Sequence, residues 1–110
     1  MNDKQSLAYR ILEMVVSCCN VDDDCVTVED VLSNNRKENV VMTRCIFVTQ
    51  MLFMGYSRTT TAKILHKHEK SINNMLEMAH NYRVISYAYR VAEAQATLKM
   101  KEIIEDSSTI

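Results

Sequence analysis

Proline and tryptophan are absent from the 110 residues, and there are only two phenylalanines and a single glycine, Gly55. A sheet protein of this length would need more glycine and proline for its turns, so their scarcity predicts an all-α chain. One glycine also excludes a Gly-rich phosphate loop, and with it nucleotide binding of that kind. No apolar run approaches the roughly 20 residues needed to cross a bilayer, and the start, MNDKQSLAYR, is polar and lacks a secretory pattern. Cys18, Cys19, Cys25 and Cys45 include an adjacent pair and none of the spacings of a disulfide framework, which points to a reducing compartment. These absences predict a soluble cytoplasmic protein with no membrane partner.

What is present fits one domain spanning residues 1–110, long enough to bury a core without disulfides or metal. The eight methionines suit a core of flexible aliphatic chains. The net charge of -1 hides an asymmetry. Between Ser33 and Arg90 nine Lys and Arg face three Glu, a balance of +6, while the flanks hold four basic and eleven acidic residues, a balance of -7. A locally positive segment of this kind can meet a polyanion even in a weakly acidic molecule.

Taken in order, Leu7, Ile11, Met14, Val15 and Cys18 recur at helical spacing and predict a first amphipathic helix from Gln5 to Cys19. The acidic stretch from Asn20 to Cys25, NVDDDC, lacks the alternating ligands, central Gly and closing Glu of a calcium loop and reads as a connection. Thr27 with Asp30 three residues later forms a capping box that opens a short helix through Val28, Val31 and Leu32, closed by Ser33 to Arg36. A broad apolar face from Glu38 to Met54 marks a central helix, and Gly55 stands where a left-handed residue would end it. From Tyr82 onward the composition stays helical to about Glu105. Val84, Ile85, Ala88, Val91, Ala92 and Leu98 are its expected inward stripe, flanked by Tyr82, Tyr87 and Tyr89. About 37 unbroken helical residues would be unusual in so small a domain, so a break is expected near Asn81, with a final helix over about 83–105.

The stretch from Ser57 to Asn81, SRTTTAKILHKHEKSINNMLEMAHN, reads as two helices meeting at a basic turn. Ser57 suits the N-cap of the first, which carries Thr61, Ala62, Ile64 and Leu65. A second helix beginning near Glu69 would turn Ile72 and Met75 inward. This predicts a helix-turn-helix over 57–81 in a bundle of five to six helices. Glu69, Lys70, Ser71, Asn73 and Asn74 remain outside as candidates for reading base edges. Arg36, Lys37, Arg44, Arg58, Lys63, Lys67 and His68 are candidates for phosphate contacts.

The order of these elements resembles the C-terminal, duplex-binding domain of the DnaA replication initiator, a fold akin to the Trp repressor. The stretch that carries the resemblance runs from TVEDVLSNNRKENVV to HEKSINNMLEMA. Leu32, Ser33 and Arg36 match the family's Leu-Ser and basic turn, and Arg44 matches an arginine at the head of its central helix. Ser57, Ala62 and Lys67 match the opening serine, the small residue and the basic residue of its helix-turn-helix. The family's recognition signature, Asp-His-Ser/Thr-Thr-Val, stands here as His68, Glu69, Lys70, Ser71 and Ile72, which keeps the hydroxyl and the aliphatic anchor. The resemblance implies duplex DNA as partner, bound without catalysis and without a cofactor. A protein-interaction module that has kept the fold and lost DNA binding is the competing expectation, and a homodimer through the final helix suits either one.

An enzyme is not expected. His66, His68 and Glu69 lie close in sequence without a nucleophile or a metal beside them. No cysteine pair has ligand spacing, so no structural metal is expected either.

Overall fold

Several helix boundaries are set by short-range hydrogen bonds that the local sequence supplies. In the computed structural model, which describes residues 3–19 and 25–108, the helices are α1 (Asp3–Cys19), α2 (Val28–Leu32), α3 (Glu38–Phe53), α4 (Arg58–Leu65), α5 (Glu69–Ile85) and α6 (Tyr87–Ser108). No strand occurs among the described residues, and the fold is an all-α bundle with a long C-terminal helix. The acidic connection at 20–24 lies outside the described residues.

The capping box predicted at α2 is formed. Thr27 Oγ1 accepts from the Asp30 amide at 3.1 Å, and the Thr27 amide donates to the Asp30 carboxylate at 3.1 Å. These bonds hold the Asp30 carboxyl below its usual range. The α3 terminus follows the glycine signal. Gly55 has φ +94, its amide donates to Leu52 O, and the Tyr56 amide reaches back to Met51 O, so the last carbonyls of the helix are satisfied. Ser57 then caps α4 by accepting from the Thr60 amide at 3.1 Å.

α3 is central in fact as well as in pattern, since it packs against all five other helices. Its Cys45, Ile46, Phe47, Val48 and Met51 are buried together with Ile11, Leu12 and Val15 of α1, Leu65 of α4 and Ile72 of α5. Each such large side chain contributes about 1.5–3 kcal/mol on burial. Leu65 and Ile72, both fully buried, therefore fix α4 against α5 and set which face of α5 is left outside.

The C-terminal third departs from expectation. α5 runs unbroken through Asn81 and ends at Ile85, and the break is the single residue Ser86. Ser86 is extended, its amide donates to Tyr82 O, and its hydroxyl accepts from the Tyr89 amide at 3.1 Å. One serine thus closes α5 and caps α6, while the Arg90 guanidinium donates to Arg83 O and Val84 O and satisfies the exposed end of α5. Asn81, in mid-helix, offers no comparable exchange of bonds.

The shift of the break changes which residues of α6 face inward. Tyr89, Ala96, Met100 and Ile103 are the buried ones, with Tyr82 and Tyr89 stacked at 5.3 Å. Of the stripe expected to be buried, Val84, Ile85, Ala88, Val91 and Leu98 are exposed, and only Ala92 is partly covered. Tyr89, expected at the flank, is the largest fully buried side chain in the molecule's described core.

Candidate nucleic-acid interface

The turn between α4 and α5 is built like a helix C-terminus without its glycine. His66 adopts φ 58 and ψ 40, its amide donates to Lys63 O, and the Lys67 amide reaches back to Ala62 O at 2.9 Å. A non-glycine residue with positive φ is strained, and the two backbone bonds hold it there. His68 follows as the N-cap of α5, with Nδ1 accepting from the Lys70 amide at 3.1 Å. His68 is therefore a cap, and only its other ring nitrogen is free to meet a phosphate.

Lys67 fastens this turn to a second one. Its Nζ donates to Ser33 O and to Asn34 Oδ1, both at 2.8 Å, which places the connection between α2 and α3 beside the head of α5. Arg44 binds the same connection from below. Its Nε donates to Val31 O at 2.8 Å, Nη1 to Asn35 O at 2.7 Å, and Nη2 to Asp30 O at 3.0 Å and Ser33 O at 2.7 Å. Ser33 O is thus shared by two cations, one from α3 and one from the turn before α5.

Arg44 is a correction to the sequence reading. It is 5 % exposed, and its donors are spent on the carbonyls that end α2 and form the turn after it, so it cannot serve as a phosphate contact. A guanidinium fork suits that task because it reaches several acceptors from one rigid plane. Burial lowers the Arg44 pKa, with Cys45 and Asp30 opposing the shift. Lys67 is also pushed below the usual lysine range, first by desolvation and then by the neighbouring charges of Arg44 and Arg36. The last effect locates Arg36, which is exposed, in the same positive cluster.

The other candidates divide. Arg58 Nε donates to Asn73 Oδ1 at 3.0 Å, so the first turn of α4 and the outer face of α5 meet at the surface. Glu69, Lys70, Asn73 and Asn74 are exposed and Ser71 is half-buried, all within the first two turns of α5. Lys63 is exposed on α4. Lys37 is exposed at the start of α3, where its charge acts on Asp30. Asn34 was not singled out in the sequence, although it supplies an anchor for Lys67; its signal is the asparagine pair in the turn, since asparagine favours such positions.

Two other regions could hold chemistry. Between α3, α5 and α6 lies a polar cluster in which Arg83 pairs with Glu93 at 2.6 Å and Gln50 Nε2 donates to Thr97 at 3.2 Å. Gln50 Oε1, Glu93 Oε2 and the Tyr89 hydroxyl are buried without partners. Burial, with the Glu93 charge behind it, raises the Tyr89 pKa, and burial pushes the Cys45 thiol up to about 12. The Tyr89 hydroxyl and the Cys45 thiol therefore stay protonated at neutral pH, and both residues are fully buried. The second region is a groove of about 440 Å³ between α1, α3 and α6, lined by Cys18, Met42, Ile46, Tyr87, Val91 and Ala92 among others. Burial raises the pKa of Cys18 and of its neighbour Cys19, so neither thiol is activated. Among the described residues no three His, Cys, Asp or Glu side chains come together as metal ligands, and no helix is long and apolar enough to cross a membrane.

The chain belongs to the family described as "Uncharacterized protein conserved in archaea (DUF2192)", whose model matches residues 3–109. Comparison with curated proteins and with solved structures finds no match.

Proposed function

We propose that the corner of α4 and α5 is a helix-turn-helix that binds duplex DNA, with the first two turns of α5 entering the major groove. The observation that carries this reading is the Lys67 bridge to Ser33 and Asn34. It draws Arg36 to the head of α5, and a positive cluster beside an exposed polar helix end is what a phosphate backbone requires. The resemblance to the initiator's duplex-binding domain agrees with the same arrangement of turns.

Arg36, Lys63 and Lys67 are the proposed phosphate contacts, with Lys37 at the edge and Arg58 steadying the frame. Lys70 suits donation to guanine, Asn73 and Asn74 suit pairing with adenine, and Glu69 can accept from the amino group of cytosine. Asn73 enters this set already held by Arg58, which fixes its amide before binding.

Fluorescence anisotropy of a labelled random-sequence duplex tests the reading. With three or four phosphates engaged, the logarithm of the affinity should fall with a slope of about -3 against the logarithm of salt. Arg36→Ala should weaken binding to every sequence and flatten that slope by about one. Lys70→Ala should change preference among sequences instead. Absence of binding at low salt, or binding with no salt slope, refutes the proposal.

A further inference from the structure

α6 is apolar on two opposite sides, and only one of them is used within the chain. At 3.6 residues per turn, the buried Tyr89, Ala96, Met100 and Ile103 cluster within about 60° of one another, whereas Tyr87, Val91, Ala94 and Leu98 project from the far side. Tyr87 is 75 % and Leu98 62 % exposed, and Val91 and Ala94 are exposed between them. The spacing of four, three and four is that of a two-helix seam. Val84 and Ile85, 69 % and 76 % exposed, extend the surface onto the end of α5, and the groove between α1, α3 and α6 opens beside it, sharing Tyr87 and Val91. A helix apolar on both sides is one that is covered on both.

We infer that this stripe is covered by the same stripe of a second copy, with the two α6 helices antiparallel. The choice of occupant rests on how the residues meet. In the antiparallel register that aligns all four positions, Tyr87 lies opposite Leu98 of the second copy and Val91 lies opposite its Ala94. The two central layers pair Val91 with the small Ala94, the two outer ones pair the Tyr87 ring with Leu98, and no charged side chain enters any of the four. The flanking positions bring Ala88 to Gln95 and Arg90 to Thr97, so no like charges oppose one another. Arg90 is already spent on the end of α5 and lies 5.9 Å over the Tyr87 ring. A parallel pair would place Lys101 against Lys101 and Glu105 against Glu105 in its next layers. Closed two-fold assembly requires a self-complementary and nearly neutral patch, and this one qualifies. A partner of opposite charge would find nothing here to recognise.

The arrangement is independent of the DNA reading: the stripe adjoins the end of α5 at Val84 and Ile85, whereas the proposed DNA contacts on α5 lie in its first two turns. α6 packs on α1, α3 and α5, while α4 packs on α2, α3 and α5. Four layers make a small interface beside the roughly 800 Å² per partner of a stable one, so a concentration-dependent dimer is expected.

Sedimentation equilibrium between about 10 μM and 1 mM protein, a range that brackets weak association, decides the matter. The wild-type protein should pass from monomer to dimer. Leu98→Glu should stay monomeric with unchanged helical circular dichroism, because the residue makes no core contact. Register is tested by oxidative trapping in a Cys25→Ser background, mixing Tyr87→Cys with Leu98→Cys protein. Cross-links should join unlike copies. A wild-type monomer at the highest concentration, a Leu98→Glu protein that dimerises like the wild type, or traps that join only like copies would each overturn the inference.

Discussion

The head of α5 and the outer side of α6 are both open to solvent, and their chemistry is opposite. At the head of α5, Lys67 and Arg44 converge on Ser33 O, His68 caps the helix, and Arg58 holds Asn73. Polar groups there are tied down, and apart from the Glu69 carboxylate the exposed remainder is cationic and amide-bearing. Along the outer stripe of α6 the exposed groups are Tyr87, Val91, Ala94 and Leu98, where the Tyr87 hydroxyl is the one side-chain group able to hydrogen-bond. The first surface is costly to build and specific in shape. The second follows from letting an apolar stripe face outward, which the remainder of the helix tolerates because Tyr89, Ala96 and Met100 bury the inner side.

The contrast can be broken most severely at Arg44. Arg44→Ala removes a donor from each of four carbonyls at the end of α2 and its turn, of which Asp30 O and Ser33 O keep another, and should cost about 2–5 kcal/mol of stability, read as a lower urea midpoint. Arg44→Lys should recover only part of that loss, since one ammonium cannot reach four acceptors set around a plane. An effect on DNA affinity without loss of stability would return Arg44 to the phosphate contacts.

Ser86→Ala gives a smaller effect on the other side of the comparison. Losing the α6 cap should cost about 1 kcal/mol. If the serine fixes the phase of α6, the same change should weaken self-association while leaving the head of α5 unaffected. The smallest expected effect has the opposite sign. His66→Gly relieves a left-handed backbone and should stabilise the fold by about 0.5–1 kcal/mol, with DNA affinity unchanged because the His66 side chain is not among the proposed contacts.

The difference between the two surfaces also explains what could be read in the sequence. Thr27 with Asp30, Gly55 and Ser57 mark helix ends through bonds that span three to five residues, so the residue types alone announce them. The same holds for the inward side of α1, where Ile11, Val15 and Cys18 are buried as their spacing indicates. Arg44 was misassigned because its partners lie 9 to 14 residues earlier in the chain, and a buried cation has the same letter as an exposed one. α6 carries two apolar stripes, and periodicity cannot say which of them meets α3. That choice depends on where Ser86 interrupts the helix and on the space between α3 and α5 that admits the Tyr89 ring. Ser86, three residues before Tyr89, was a legible capping signal. Of the candidate site, the exposed head of α5 and the basic turn before α3 were recognisable from their residues. The Lys67 bridge that joins them was not, because it spans more than thirty residues.

Amide chemical-shift mapping by NMR on addition of a duplex at low salt tests the central contrast most directly. The account predicts shifts concentrated at residues 33–37 and 58–74, with Lys70, Asn73 and Asn74 among the largest and residues 87–98 unmoved. Shifts centred on 87–98, or a spectrum that does not respond to excess duplex, would contradict it.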